Sequence, residues 1–448
     1  MNNNTKVLLI FILAGAILTS PYVLRIFNGN NYMINSESYY NIRTSNIDEL
    51  QNRNLPFSLL NFINKDNAVV YRIVPLIIGI TSLGLSILIM KKHNISDKNI
   101  TAISLIIISS PIFINTFLDL KYFSFSILLS LLTIYLINIK KRFISIIPLI
   151  IIPFVDFYSS IIFFILLFIY LLLTSRKERK NLIILSVAIF SIIIATLLNI
   201  STGYAPKIPV EKTRLLTEIG GDAGFSFSII ILYIIGIILL WEKGFKNTLI
   251  YTSLILLIIL SIFNNTIKAY INFIIAIYAG FAFTYLTKRK WSIQIIKKIT
   301  LLLIICSIIF TTILYITKIS KSEPTPEYVD ALKFLEKQSI QKEVILSTPE
   351  NGYMIEYYAR RSVFIDEKTI IYEPERIKIY ENITKIRNLE TTEKILKEYS
   401  IKYIFIDKRF KQKLEEDEGL LFLIENSKKF KEIYTDKEIE VWMYLDTI

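Results

Sequence analysis

The chain opens on a nearly unbroken apolar run, VLLIFILAGAILTSPYVLRI, which extends from Val7 to Ile26. About 20 apolar residues are what a helix needs to cross roughly 30 Å of hydrocarbon. Uncharged Ile- and Leu-rich runs of similar length recur as far as Thr317. Val7–Ile26 has no obvious small-residue cleavage site, so we interpret it as a first span and not as a signal peptide. Together the runs predict a polytopic α-helical membrane protein.

We expect about eleven transmembrane spans, an odd number that places the two ends of the chain on opposite sides of the membrane. The fifth candidate is short and contains Pro148 and Pro153, which indicates either a kinked span or a re-entrant pair with the sixth. The candidate spans are 7–27, 69–90, 100–117, 121–139, 143–155, 157–174, 181–200, 226–241, 247–263, 268–287 and 299–317.

The distribution of charge predicts the orientation. Residues 1–317 hold 28 Lys and Arg against 12 Asp and Glu, whereas residues 318–448 hold 23 against 26. The net charge of +13 therefore belongs to the membrane part, which indicates a lipid bilayer as partner and not nucleic acid. Short basic loops stay cytoplasmic. Those on one side of this scheme are Lys91-Lys92, Lys140–Arg142, Arg176–Lys180, Lys243 with Lys246, and Lys288–Lys290. We expect a plasma-membrane protein with a cytoplasmic N-terminus and an extracellular C-terminal part.

The composition changes after Thr317, which predicts a transmembrane domain over 1–317 and an extracytoplasmic soluble α/β domain over 318–448. Thr325-Pro326-Glu327 has the pattern of an N-cap, a first-turn proline and a first-turn acid. The expected elements are a helix from this cap to about Gln338, strands at Val344–Ser347, Val363–Ile365 and Tyr403–Ile406, a helix at Thr392–Tyr399, and a hairpin of Phe430–Tyr434 with Ile439–Tyr444.

Two loops on the predicted outer face are long, 28–68 and 201–225, and long loops on one face of a bundle commonly carry binding and catalysis. The first contains YMINSESYYNIR, from Tyr32 to Arg43, in which Glu37 precedes Tyr39 and Tyr40. The second places Arg214 and Glu218 among several glycines. The chain has a single cysteine, Cys306, and a single histidine, His93, which argues against an intrachain disulfide and against histidine or zinc chemistry. Carboxylates are therefore the expected reactive groups.

Four segments carry a resemblance to a known family. Ser36–Arg43 resembles a first-loop acid followed by paired tyrosines and an arginine, and Ser110–Leu120 resembles a second acidic motif ending at Asp119. Leu216–Gly220 resembles a loop whose glutamate contacts the acceptor, and Ser347–Ile355 resembles the segment around a WWDYG motif that reads glycosylation sequons. On these residues the chain resembles the GT-C superfamily of membrane glycosyltransferases, and within it the catalytic subunit of archaeal oligosaccharyltransferase.

The sequence departs from that family in two places. Ser-Glu-Ser stands where the first loop often has a paired-acid DxD, and Ser-Thr-Pro-Glu-Asn stands where the family has WWD. The residues that would recognise a Ser/Thr sequon are missing. The resemblance thus favours the fold and the class of donor, and argues weakly against N-glycosylation itself.

The resemblance implies transfer of a sugar from a polyprenyl-(di)phosphate, such as a dolichol-linked donor, to an acceptor on the outer face. It implies that Glu37, or else Glu218, acts as the catalytic carboxylate, and that Glu37 and Asp119 hold a divalent cation, Mn²⁺ or Mg²⁺. The residues expected to grip donor phosphate are Arg43, Arg214 and Lys268. The residues expected to face the acceptor are Tyr39, Tyr40, Glu350, Asn351 and Tyr353.

Structural roles compete with each of these assignments. Asp119 has the position of a helix-end residue, Arg214 and Lys268 have positions from which a long side chain reaches the lipid headgroups, and the tyrosines suit a membrane interface. The acceptor stays open among a protein, a surface glycan and a lipid. Two other functions also stay open: a GT-C-like scaffold without catalysis, and a transporter or flippase of a lipid-linked substrate.

Overall fold

The computed structural model describes residues 3–34, 36, 38–40, 42, 68–174, 179–201, 215–217, 223–241, 245–414 and 419–446. The chain divides into two compact units. Met1–Arg25 and Asp48–Ser320 form the first, which we call the helical unit, and Ile26–Ile47 and Lys321–Ile448 form the second, the α/β unit. Ile26–Ile47, which the sequence analysis placed in a loop of the transmembrane domain, thus groups with the C-terminal residues.

The helical unit is built from long apolar helices. In chain order these are α1 (Asn3–Phe27), α2 (Ala68–Lys92), α3 (Asp97–Ile108), α4 (Pro111–Leu118), α5 (Tyr122–Asn138), α6 (Arg142–Val155), α7 (Phe157–Thr174), α8 (Arg179–Ser201), α9 (Phe227–Leu239), α10 (Phe245–Ser261), α11 (Asn265–Lys288) and α12 (Gln294–Ser320). Their buried side chains are mostly Ile, Leu, Phe and Ala. The prediction of a mostly helical, multi-span architecture is confirmed.

Within the described part of the chain, five helices are long and apolar enough to cross a membrane by length and composition alone: α1, α2, α8, α11 and α12. A sixth span results if α3 and α4, which are bent by 63°, count as one broken span. Shorter apolar helices lie in α5, α6, α7, α9 and α10. The expected total of about eleven spans stays a prediction.

The break between α3 and α4 has a local cause. Pro111 is the first residue of α4, and the preceding Ser110 is extended, with φ −75° and ψ 126°. Proline lacks a backbone N–H and disfavours helical geometry in the residue before it. The hydroxyl of Ser110 donates to Asn272 Oδ1 of α11 at 2.8 Å. The sequence interpretation of 100–117 as one segment missed this break.

Helix α11 lies at the centre of the helical unit. Of its apolar window 67% is buried, against 28% for α1 and α12. Glycines bring neighbouring helices close to it: a Cβ at Gly236 of α9 would lie 2.2 Å from the Tyr278 carbonyl oxygen, and one at Gly280 would lie 2.4 Å from Ile103 Cγ1 of α3. Close backbone approach through small residues is typical of helices in membranes, where packing replaces the hydrophobic effect.

The α/β unit holds a five-stranded sheet with helices packed against it. After α13 (Pro326–Gln338), its elements are β1 (Val344–Leu346), a 3₁₀ turn (Pro349–Asn351), α14 (Gly352–Tyr358), β2 (Ser362–Val363), α15 (Glu367–Tyr372), α16 (Pro374–Lys385), α17 (Leu389–Glu398), β3 (Ile401–Asp407), α18 (Lys408–Lys413), α19 (Gly419–Asn426), β4 (Phe430–Asp436) and β5 (Ile439–Tyr444).

The order of the strands is β2-β1-β3-β5-β4. β1 pairs in parallel with β2 and β3, whereas β5 pairs antiparallel with β3, where Ile404 faces Trp442, and with β4. The central strand β3 is buried at all but one position, as expected for a strand covered on both faces. The predicted strands and hairpin are confirmed, with ends shifted by at most two residues.

Side-chain caps fix where several of these helices begin. The predicted cap is present: the Tyr328 N–H donates to Thr325 Oγ1 at 3.2 Å. Asp366 Oδ1 accepts from the Thr369 N–H at 2.6 Å, and Asp407 Oδ1 accepts from the Phe410 N–H at 2.7 Å. These caps satisfy helix-end donors that would otherwise lack partners.

Gly236→Ala tests the packing around α11, since the added methyl meets backbone and not a mobile side-chain end. We expect it to lower the stability of the helical unit by about 1–3 kcal/mol. Gly15→Ala is the matched control, because its Cβ would lie 4.0 Å from the nearest atom. The measurement is the temperature at which each variant loses its monodisperse elution in detergent. Equal temperatures for both variants contradict the close contact.

Candidate active site

Asp119 lies at the end of α4 in the helical unit. It is 1% exposed and its backbone is extended, with φ −120° and ψ 163°. The Tyr22 hydroxyl of α1 donates to Asp119 Oδ1 at 3.0 Å. A carboxylate this well buried is costly unless partners compensate its charge, and the Tyr22 hydroxyl is one such partner.

Two basic side chains accompany this carboxylate. The Arg72 guanidinium of α2 lies over the Tyr22 ring, 5.3 Å from its centroid. Lys121, two residues after Asp119, is 6% exposed, and its Nζ donates to Asn115 Oδ1 at 3.0 Å. Lys121 is thus buried near the end of α4, and Arg72 contacts the tyrosine that binds Asp119.

The sequence analysis missed Tyr22, Arg72 and Lys121. A signal was available for the two basic residues, because Arg72 lies inside a predicted span and Lys121 begins one, and an intramembrane charge is functional by default. Tyr22 gave no signal, since a tyrosine near a span end is equally typical of the membrane interface.

Lys268 lies in the first turn of α11 and is 1% exposed. Its Nζ donates to the Ala223 carbonyl oxygen at 3.2 Å. The competing interpretation, a lysine that reaches out to the headgroups, does not fit this burial. The phosphate-binding role predicted for Lys268 stays a prediction.

The other residues predicted for donor and metal binding lie outside the described residues. These are Glu37, Arg43, Arg214 and Glu218. Among the residues that the structure describes, no three His, Cys, Asp or Glu side chains gather as a metal site. Asp119 has a carboxylate of the kind that Mg²⁺ and Mn²⁺ take as a ligand, and its role as a metal ligand stays a prediction.

Tyr39 and Tyr40 belong to an aromatic cluster of the α/β unit. Tyr39 is fully buried, its hydroxyl donates to the Met33 carbonyl at 3.2 Å, and the Tyr358 hydroxyl donates to it at 3.0 Å. Tyr40 packs on Tyr353 with ring centroids 4.7 Å apart. These contacts attach the Ile26–Ile47 segment to α14. Facing the acceptor stays a prediction for Tyr39, Tyr40 and Tyr353, all of which are buried.

Asn351 and Glu350 lie together in the 3₁₀ turn but in different surroundings. Asn351 is 1% exposed, and its Nδ2 donates to Asp407 Oδ2 and to Ser347 Oγ, both at 3.0 Å. The Glu350 side chain is 46% exposed and pairs with Lys413 at 3.1 Å. Burial alone would raise the pKa of the Glu350 carboxyl, but its own backbone N–H and the Lys413 ammonium outweigh burial and lower it. Of this pair, Glu350 has the more exposed side chain, and facing the acceptor stays a prediction for both residues.

The fold of the chain, an apolar helical bundle and an α/β unit, is similar to that of solved oligosaccharyltransferase structures. Several of these are structures of the oligosaccharyltransferase from Archaeoglobus fulgidus. One, archaeal oligosaccharyltransferase AglB in complex with an inhibitory peptide and a dolichol-phosphate, has a TM-score of 0.62 at 11% identity and covers 90% of this chain and 70% of its own.

Two further structures of the same oligosaccharyltransferase agree. One is tethered to an acceptor peptide with an NVT sequon, with a TM-score of 0.59 at 12% identity over 90% of this chain and 69% of its own. The other is a complex with Zn and sulfate, with a TM-score of 0.59 at 11% identity over 89% and 68%. The chain therefore has a GT-C-like oligosaccharyltransferase fold, as the resemblance implied.

No protein-family model matches the chain, and comparison with curated proteins gives no significant match. At 11–12% identity the structural likeness defines the fold alone.

Asn351→Ala tests whether the 3₁₀ turn is fixed by Asp407. The substitution removes the donor to Asp407 Oδ2 and Ser347 Oγ, and we expect it to cost about 1–3 kcal/mol of unfolding free energy. Asn426→Ala, at an exposed helix end, is the control and should stay within about 0.5 kcal/mol of the parent. Thermal unfolding of the full chain measures both, and a neutral Asn351→Ala contradicts the assignment.

Proposed function

We propose that the chain is a membrane glycosyltransferase that transfers a sugar from a polyprenyl-(di)phosphate-linked donor to an acceptor at the outer face of the plasma membrane. The single observation that supports this most is the fold shared with oligosaccharyltransferases over 90% of the chain. One such structure holds a peptide and a dolichol-phosphate, which are an acceptor-like and a donor-like ligand. The acceptor here is a protein, a glycan or a lipid.

Donor chemistry requires a site that stabilises negative charge as the lipid phosphate leaves. In the helical unit the basic groups suited to this task are Arg72, Lys121 and Lys268, of which the last two are buried, at 6% and 1% exposure. Arginine binds phosphate oxygens in a bidentate manner, whereas lysine acts as a point charge. Arg43 and Arg214 keep their proposed role at the donor phosphate.

Asp119 is the proposed metal ligand within the helical unit, and Glu37 is the second proposed ligand. A divalent cation, Mn²⁺ or Mg²⁺, would supply charge neutralisation at the leaving phosphate when bound. An oligosaccharyltransferase of this fold has been solved with Zn and sulfate, which supports a divalent cation in this class. The Tyr22 hydroxyl holds Asp119 in one orientation through its 3.0 Å hydrogen bond.

Acceptor activation needs a carboxylate that accepts or orients the acceptor's proton, and Glu37 is the first candidate and Glu218 the second. Among the residues predicted to face the acceptor, Glu350 has the exposure for direct contact. We propose an indirect role for Asn351, whose hydrogen bond to Asp407 fixes the turn that carries Glu350.

The proposed orientation places the N-terminus in the cytoplasm and the α/β unit outside, and it rests on the basic loops. A scaffold without catalysis is the second candidate, and the single acid of Ser-Glu-Ser in the first loop favours it. The two functions differ in whether sugar is transferred at all.

Glu37→Gln tests catalysis. We expect a loss of at least about 100-fold in sugar transfer from radiolabelled polyprenyl-phosphate sugars in purified membranes, because glutamine cannot accept a proton. EDTA should abolish transfer by the parent. Glu375→Gln, an exposed acid of α16, is the control and should keep full activity. Normal transfer by Glu37→Gln removes Glu37 from the mechanism, and no transfer from any donor favours the scaffold.

Asp119→Asn tests metal binding separately from folding. Asparagine still accepts the Tyr22 hydrogen bond, so we expect unchanged thermal unfolding. Loss of the ligand charge should raise the Mn²⁺ concentration for half-maximal transfer by about tenfold or more. Titration of Mn²⁺ into metal-stripped membranes measures this, and an unchanged requirement shows that Asp119 is not a ligand.

A further inference from the structure

The α/β unit contains a polar cavity of about 170 Å³ that the proposed transfer reaction does not use. It lies where the start of α13, the end of β3 and the turn between β4 and β5 meet. Five carboxylates line it, against two lysines, Lys408 and Lys437. The acids are Glu323, Glu327, Asp407, Asp436 and Glu438. Lys408 pairs with Glu438, so part of the positive charge is already used.

Tyr328 gives the cavity an unsatisfied hydroxyl. Its side chain is 1% exposed and packs edge-on against Phe405, with centroids 5.0 Å apart. Tyr328 lines the cavity, and its Oη has no hydrogen-bond partner among the residues that the structure describes. Burial, Asp407 and Glu323 raise the pKa of the phenol well above 10, so the hydroxyl stays protonated. A buried phenol hydroxyl can donate one hydrogen bond and accept another, and this one does neither. Such an unsatisfied group indicates a ligand that supplies the hydrogen bond.

Asp407 and Glu323 line the same cavity as Tyr328, and the charges of both act on its phenol. Asp407 is 2% exposed, and each of its oxygens accepts one protein hydrogen bond, from Phe410 or from Asn351, which leaves a lone pair on each. Glu323 has a loose ion pair with Arg409 at 3.7 Å. Burial and the neighbouring Asp407 charge raise the pKa of the Glu323 carboxyl to about 7. Glu323 and Asp407 are therefore two carboxylates whose negative charge is only partly balanced by the ion pair with Arg409.

The excess of carboxylates indicates that the cavity binds a cation. The arrangement of the lining residues indicates whether this cation is a metal ion or an ammonium group. No three carboxylates among the described residues converge as metal ligands, and the cavity is larger than one ion. A primary ammonium donates three hydrogen bonds, which matches two carboxylates and one phenol oxygen. We infer that this cavity binds a primary ammonium group, carried by a small amine or by a lysine side chain, through Glu323, Asp407 and Tyr328.

The affinity of the cavity for an amine should rise as the pH rises. The charged groups that face Glu323 are Asp407 from β3, Arg409 from α18, Glu350 from the 3₁₀ turn and Glu438 from the β4–β5 turn. With a pKa of about 7, Glu323 is mostly neutral at pH 6 and mostly ionised at pH 8, while a primary amine stays charged at both. Affinity should therefore rise roughly fivefold to tenfold between pH 6 and pH 8.

Saturation-transfer NMR on the full chain in detergent tests the site with two amine probes. These are n-butylammonium and the peptide acetyl-Gly-Lys-Gly-amide, and their neutral counterparts are n-butanol and acetyl-Gly-Gln-Gly-amide. We expect the amines to bind at pH 8 and the neutral compounds not to bind. A lysine peptide that binds tenfold tighter than butylammonium identifies a peptide side chain as the ligand, and equal affinities identify a free amine.

Two variants keep the test independent of folding. Glu323→Gln should weaken amine binding about tenfold and remove its pH dependence. Tyr328→Phe should weaken it severalfold while leaving thermal unfolding unchanged or improved, since the hydroxyl has no protein partner. Glu432→Gln, an exposed acid on β4, is the control and should bind as the parent does. Absence of amine binding, or equal binding by parent and Glu323→Gln, overturns the proposal whatever the transfer activity.

Discussion

Hydrocarbon offers no water to a buried polar group, so polar side chains inside the helical unit must find their partners in the protein. The Ser110 hydroxyl bonds to Asn272, Ser130 and Tyr270 share a hydrogen bond at 3.0 Å, and Thr312 of α12 donates to the Ser109 carbonyl. These bonds lie along α11 and at the α3–α4 break. The break frees backbone groups, and Thr312 satisfies one of them. The position of Asp119 at the end of α4 therefore depends on partners far away in the sequence.

In the α/β unit the corresponding role falls to Asp407. One carboxylate oxygen caps α18 through the Phe410 N–H, and the other accepts from Asn351 in the 3₁₀ turn. The same turn is tied to β3 a second time, because the Ser347 hydroxyl donates to the Phe405 carbonyl at 2.8 Å. The end of the central strand thus fixes the turn that carries Glu350. The same carboxylate also lines the acidic cavity, so structural and binding demands meet on one side chain.

Sequence reasoning succeeded where the physical cause is local. Apolar length predicted the helices, the Thr325 cap predicted the start of α13, and alternation predicted the β4–β5 hairpin. It failed where the cause is a distant partner. The break at Ser110-Pro111 was missed, and there the Ser110 hydroxyl donates to Asn272 on α11. The burial of Lys268 needs the Ala223 carbonyl. The grouping of Ile26–Ile47 with the α/β unit needs Tyr357 and Tyr358 beside Tyr39.

The tyrosines of the first loop show what composition alone leaves out. An acid followed by two tyrosines and an arginine is typical of a binding loop, and the structure adds that Tyr39 and Tyr40 are buried in an aromatic cluster. Conversely, the sequence analysis named Asp119 as a site residue but not Lys121, which lies two residues after it. Its buried ammonium, two residues after Asp119, supplies positive charge at the end of α4 from the chain itself. In the proposed reaction, a donor phosphate bound there would meet fixed protein charge, which would lower the share of charge neutralisation left to the proposed metal ion.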